Sequence, residues 1–147
     1  YQDGSVSPAK YNALSTKASL YLSPYTDMSI DYSVQYAYDD MLPENGNKSS
    51  FNNWQHMAKI IIPAGKLRFT LKGEYDHNQL MPSKYKDIFF ADAIIGLTSR
   101  HIDYELGLSN LLNEKSYVRS TVANLTKMRS ETILRGRELL LTLVYKP

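Results

Sequence analysis

The sequence contains no cysteine. That single absence removes disulfides, zinc–thiolate centres and cysteine nucleophiles together, and it selects no compartment on its own. No apolar run approaches the ~18 residues that a membrane-crossing helix needs, so a transmembrane helix is excluded. The chain opens YQDGSVSPAK, without initiator methionine, basic start or apolar core. No secretory signal is legible there, and the expectation is a sequence that begins inside something longer. Charge of one sign is also missing: 17 basic against 15 acidic residues leave a net charge of +2. Those charges are scattered, which argues against a nucleic-acid partner, whose surface would gather basic residues on one face. The histidines His56, His77 and His101 stand apart, and no H-E-x-x-H, G-x-S-x-G or glycine-rich phosphate loop appears. The reading is therefore of no enzyme, no metal and no cofactor.

Tyrosine is abundant where other aromatics are scarce: 12 Tyr against 4 Phe and 1 Trp. An amphipathic ring suits a boundary between apolar and wet surroundings. The segment MSIDYSVQYAY at 28–38 alternates strictly, with Ile30, Tyr32, Val34, Tyr36 and Tyr38 to one side and Asp31, Ser33 and Gln35 to the other. Such a period of two belongs to a strand. Comparable segments lie at 11–22, 54–62, 67–77, 87–97, 102–109 and 137–146, giving about seven strands. Most run longer than the five or six residues usual in soluble sheets, and a strand of ~10 tilted residues spans a bilayer.

The connections alternate in length. SPYTD at 23–27, PAGK at 63–66 and TSRH at 98–101 are tight turns. Between them stand DDMLPENGNKSSFNN, NQLMPSKYK and everything from 110 to about 133, all polar and long. This order predicts an all-β antiparallel meander of the outer-membrane barrel kind, with short periplasmic turns and long extracellular loops.

Charged residues then fix which face is wet. Asp31, Gln35, Lys59, Arg68, Lys72, Glu74, Asp76, Asp92, Asp103 and Glu105 are assigned to the lumen. Ile30, Tyr32, Val34, Phe69, Leu71, Ile95, Leu106, Leu141 and Leu143 are assigned to lipid, with Trp54, Tyr36, Tyr38 and Tyr75 near the upper interface and Tyr145 near the lower one. Asp103 and Glu105 share a face and suggest an acid pair or a calcium site. Lumen electrostatics against Arg68 or Lys72 explains them better, because calcium takes about six to eight oxygen ligands.

The stretch NLLNEKSYV and the ending LRGRELLLTLVYKP resemble the close of a TonB-dependent outer-membrane receptor of the Bacteroidetes type. The residues that carry the resemblance are Asn110, Leu111, Asn113, Tyr117, Leu134 to Thr142 and Tyr145; the final YKP departs from the terminal aromatic common in outer-membrane proteins. The resemblance implies the C-terminal arc of a 22-strand barrel in the bacterial outer membrane, with a plug domain and a TonB-contacting box outside residues 1–147. It implies import of a scarce nutrient such as a glycan, peptide or metal chelate. Its expected partners are the rest of the barrel, the plug, TonB, outer-membrane lipid and a surface lipoprotein. Arg135 and Arg137 share the parity of Leu139 and are candidates for lipopolysaccharide phosphates, against pairing with loop carboxylates such as Glu114 or Glu131. Two alternatives stay open: a small complete barrel acting as adhesin or enzyme, with an eighth strand at 117–125, and a secreted soluble sandwich that binds glycans.

Overall fold

The structure is a computed structural model, and it describes residues 10–42, 48–123 and 126–146. Nine strands form among them: β1 (Lys10–Leu22), β2 (Ser29–Leu42), β3 (Ser49–Ala64), β4 (Leu67–Asn78), β5 (Asp87–Thr98), β6 (Ile102–Ser109), β7 (Ser116–Ala123), β8 (Thr126–Ile133) and β9 (Glu138–Tyr145). Seven of them make one antiparallel sheet in the order β1-β2-β3-β4-β5-β6-β9, while β7 and β8 pair only with each other. The sheet is open, with β1 and β9 at its edges.

The short connections close as their residues dictate. Gly65, at φ 63°, supplies the left-handed backbone of the turn between Ala64 and Leu67, a conformation that costs glycine nothing. Asp27 takes φ 65° before β2. Between β5 and β6 the Ser99 hydroxyl donates to the Ile102 carbonyl and accepts from the Ile102 amide.

Two expectations are corrected. The connection read as DDMLPENGNKSSFNN is mostly strand: β2 runs on to Leu42 and β3 begins at Ser49, with Asp39 opposite Phe51 and Asp40 opposite Ser50. Its polar residues hid a ladder that backbone hydrogen bonds carry regardless of side-chain polarity. The loop expected over 110–133 contains the β7–β8 hairpin. Of the eighth strand considered at 117–125, residues 117–123 lie in β7, which pairs with β8 and does not join the main sheet, and 124–125 lie outside the described residues.

Pairing across the sheet sorts every strand onto two faces. One row runs Leu22, Ile30, Ile60, Leu71, Ala93, Leu108, Leu139 through all seven strands. The next row, one residue along, runs Tyr21, Asp31, Lys59, Lys72, Asp92 on the other face. A slip of one residue in any pair would put a charge among the aliphatics, so the register is strongly specified. Among the described residues the buried apolar side chains, Phe51, Met81, Ile88 and Val118, all sit at the loop end. Elsewhere the apolar face is uncovered: Leu20, Leu71, Phe89, Leu139 and Leu141 are among its exposed side chains.

Candidate functional site on the polar face

The register places Asp31, Gln35, Lys59, Arg68, Lys72, Glu74, Asp76, Asp92, Asp103 and Glu105 on one face of the sheet. Ile30, Tyr32, Val34, Phe69, Leu71, Ile95, Leu106, Leu141 and Leu143 lie on the opposite one.

Several of the polar residues are tied to one another across strands. Gln55 donates from Nε2 to Glu74 Oε1 at 2.9 Å. Arg68 stands 3.5 Å from Glu105, and Lys146 stands 2.6 Å from Asp103. The carboxylates of Asp103 and Glu105 thus meet separate cations: Arg68, one of the two expected partners, stands at Glu105, while Asp103 meets Lys146, which was not among them. Asp92 Oδ1 accepts the backbone N–H of Asn110 at 2.9 Å.

A recess of about 550 Å³ opens on this face over β1 to β5, with Tyr21, Asp31, Met57, Lys59, Lys72, Glu74, Phe90 and Asp92 around it. Met57 and Phe90 are apolar interruptions that parity alone could have placed there. Toward the loop end the β7–β8 hairpin leans over the same face: Tyr117 meets Phe90 edge-on at 5.7 Å, and Val118 is only 2% exposed. A smaller recess lies beneath it, bordered by Gln35, Gln55, Asp76, Ile88, Tyr117 and Val118. The sequence offered only a possible strand at 117–125 within an expected loop, and nothing in it placed that segment over the polar face.

The opposite face carries a band of rings. Tyr36 and Trp54 lie 4.4 Å apart between centroids, Trp54 and His56 6.0 Å, His56 and Tyr75 5.6 Å, and Tyr75 and Phe89 4.6 Å. The Tyr32 hydroxyl reaches His56 Nδ1 at 2.6 Å. Sequence spacing left His56 and His77 apart, whereas the β3–β4 register brings Trp54 opposite His77 and His56 opposite Tyr75. Beyond the aliphatic rows, Asp87 at the start of β5 meets His77 Nδ1 at 2.6 Å and accepts from the Tyr75 hydroxyl at 2.7 Å.

Arg135 and Arg137 precede β9, so the strand's parity does not reach them. Arg137 Nε donates to the Leu111 carbonyl at 2.9 Å, and Arg135 stands 3.4 Å from Glu138. Asn110 joins the same junction, donating from Nδ2 to the carbonyls of Glu114 and Arg135 and accepting the Glu114 amide, each at 2.8 Å. Comparison with protein-family models, curated proteins and solved structures finds no match for this chain.

Proposed function

We propose that the seven-stranded sheet is part of the wall of a transmembrane β-barrel in a bacterial outer membrane, with the aliphatic face on lipid and the charged face lining a wet lumen. The observation that carries this reading is the uncovered apolar face. Soluble monomers rarely expose a contiguous apolar patch beyond a few hundred Å², yet here one continues through every strand of the sheet. A sandwich would cover that face with a second sheet. Among the described residues the only other sheet is the β7–β8 hairpin, and its Tyr117 packs on Phe90 of the polar face. Lipid supplies the missing apolar layer.

The band of Tyr36, Trp54, His56 and Tyr75 fits the aromatic girdle of a membrane interface, since it follows the aliphatic rows on the same face. Within this reading the chain belongs to the TonB-dependent kind of receptor that its NLLN and LRGRELLLT segments resemble. It contributes wall to a path for a scarce nutrient, with TonB, a plug and a surface lipoprotein as partners and no catalytic step. The two segments behave as a unit, because Ser109 and Glu138 are cross-strand partners and the residues just beyond them therefore meet. Arg137 serves that junction, so of the two arginines Arg135, with its head group in solvent, is the one free to meet a lipopolysaccharide phosphate.

Trp54 is the sole tryptophan and makes a direct test possible. The full chain is inserted into liposomes whose lipids carry bromine at a shallow or a deep acyl position. The expected result is strong quenching by shallow bromine and weaker quenching by deep bromine. Equal fluorescence with and without brominated lipid, from a chain that stays soluble without detergent, overturns the proposal.

A further inference from the structure

The ring band on the apolar face contains phenols that differ in one respect, whether the hydroxyl proton has an acceptor. The Tyr32 hydroxyl lies 2.6 Å from His56 Nδ1. The Tyr75 hydroxyl donates to Asp87 Oδ1 at 2.7 Å, an oxygen that His77 Nδ1 also meets at 2.6 Å. Tyr36 has its ring 4.4 Å from Trp54, yet its hydroxyl has no hydrogen-bond partner among the described residues. Trp54, the sole indole, is 39% exposed and lies 6.0 Å from the His56 ring, which Tyr32 faces at 6.1 Å from the other side. Neighbouring rings at such separations exchange electrons readily. A phenol that gives up an electron becomes a strong acid, so its proton leaves with the electron and needs an acceptor within hydrogen-bond reach. On an apolar face the protein must supply that acceptor.

We infer that Tyr32 and His56 form a redox site, at which an oxidation begun on Trp54 comes to rest as a neutral tyrosyl radical. A one-electron oxidant, of the class of the carbonate or peroxyl radicals, takes an electron from the indole and becomes its anion. Tyr32 then passes one electron to the indole radical cation, which restores Trp54. In the same step the Tyr32 O–H bond breaks and an N–H bond forms at His56 Nδ1, leaving a tyrosyl radical beside an imidazolium. Nδ1 is the accepting nitrogen of the neutral ring and Nε2 carries its proton. Tyr36 is nearer the indole but lacks the acceptor. Tyr75 has a carboxylate, ordinarily a weaker base than an imidazole, and it already serves His77. The site needs only the ring band and does not depend on whether that face meets lipid.

The test uses the full chain folded in detergent micelles. Trp54 is excited at the red edge of indole absorption, where tyrosine does not absorb, with hexaamminecobalt(III) as the one-electron acceptor. Transient absorption follows the indole radical, and electron paramagnetic resonance of freeze-quenched samples identifies its successor. A tyrosyl signal should grow as the indole signal decays, more slowly in deuterated water because a proton moves with the electron. Tyr32→Phe should remove most of the tyrosyl signal and the isotope effect, and His56→Phe should do the same with the phenol still present. Tyr36→Phe should change neither. An indole radical in the unaltered chain that decays without a tyrosyl signal, or without an isotope effect, overturns the inference. So does a tyrosyl signal lost with Tyr36→Phe or Tyr75→Phe and kept with Tyr32→Phe, which would mean that the acceptor at His56 does not direct the oxidation.

Discussion

At the scale of single residues, what decides the two faces is the difference between burying a charge and wetting it. Leu71 lies in the middle of the aliphatic row, between Ile60 and Ala93, and is 48% exposed. On the proposed membrane reading, an arginine there would sit near the bilayer midplane at a cost of about 2 to 4 kcal/mol. Ser33, on the polar face beside the recess, has room and water for the same side chain. Leu71→Arg should therefore abolish heat-modifiable mobility on gels, while Ser33→Arg leaves it; equal loss from both would remove the assignment of lipid to the aliphatic face. Thr70 would be a poor control despite its parity, because it is 7% exposed and an arginine there meets packing as well as polarity. Alternation made Leu71 and Ser33 legible in the sequence, since parity is a local property. The burial of Thr70 was not, because it depends on what the neighbouring strands contribute. For the same reason the meeting of His77 with Asp87 could be read only once the β4–β5 register was known.

At the scale of elements, the junction between β6, the β7–β8 hairpin and β9 is where the chain leaves the sheet and returns to it. Asn110 has φ 52° and Asn113 φ 60°, a left-handed conformation that asparagine tolerates better than most residues. The Asn110 side chain makes three hydrogen bonds, to Glu114 twice and to Arg135 once. The Leu134 amide donates to the Lys115 carbonyl and closes the hairpin base. Asn110→Ala loses those bonds at about 1 kcal/mol each and adds roughly 1 to 2 kcal/mol of left-handed strain. Asn110→Gly loses the bonds without the strain. The expected order of unfolding midpoints in urea is wild type, then Gly, then Ala, with proteolysis of the hairpin rising in parallel. A glycine variant as stable as wild type would show that the hydrogen bonds hold nothing. The N-L-x-N spacing was visible in the sequence, and a strand at 117–125 was open as an alternative, but its pairing with 126–133 was not legible. In 116–133 polar and apolar residues do not fall into an amphipathic alternation, and a stretch without one reads as loop.

At the scale of the whole molecule, strand direction limits how the sheet can close. Antiparallel strands alternate, so β1 and β9, first and seventh in the sheet, run the same way. Joining one directly to the other would make a parallel seam, and only an odd number of further strands restores alternation and the even total of a bacterial barrel. A second copy in the same orientation again sets β1 beside β9 in parallel. A copy turned over would make antiparallel seams, β1 to β1 and β9 to β9, but it would stand inverted across the membrane. On the proposed membrane reading the edges thus call for strands of a different segment, because every unpaired N–H and C=O facing lipid would cost several kcal/mol. A chain without cysteine makes this measurable. Single cysteines at Lys17, Ser19 or Tyr21 of β1, combined with single cysteines at Leu140, Thr142 or Val144 of β9, all lie on the polar face. In the assembled barrel the expected outcome under oxidation is no disulfide between the two sets and no symmetric β1–β1 disulfide. Disulfides should instead form with cysteines placed on the strands that complete the wall. A disulfide between β1 and β9 of one chain, in high yield at any of these pairs, would show the sheet closing on itself through a parallel seam, and the partner strands inferred from direction would not be needed.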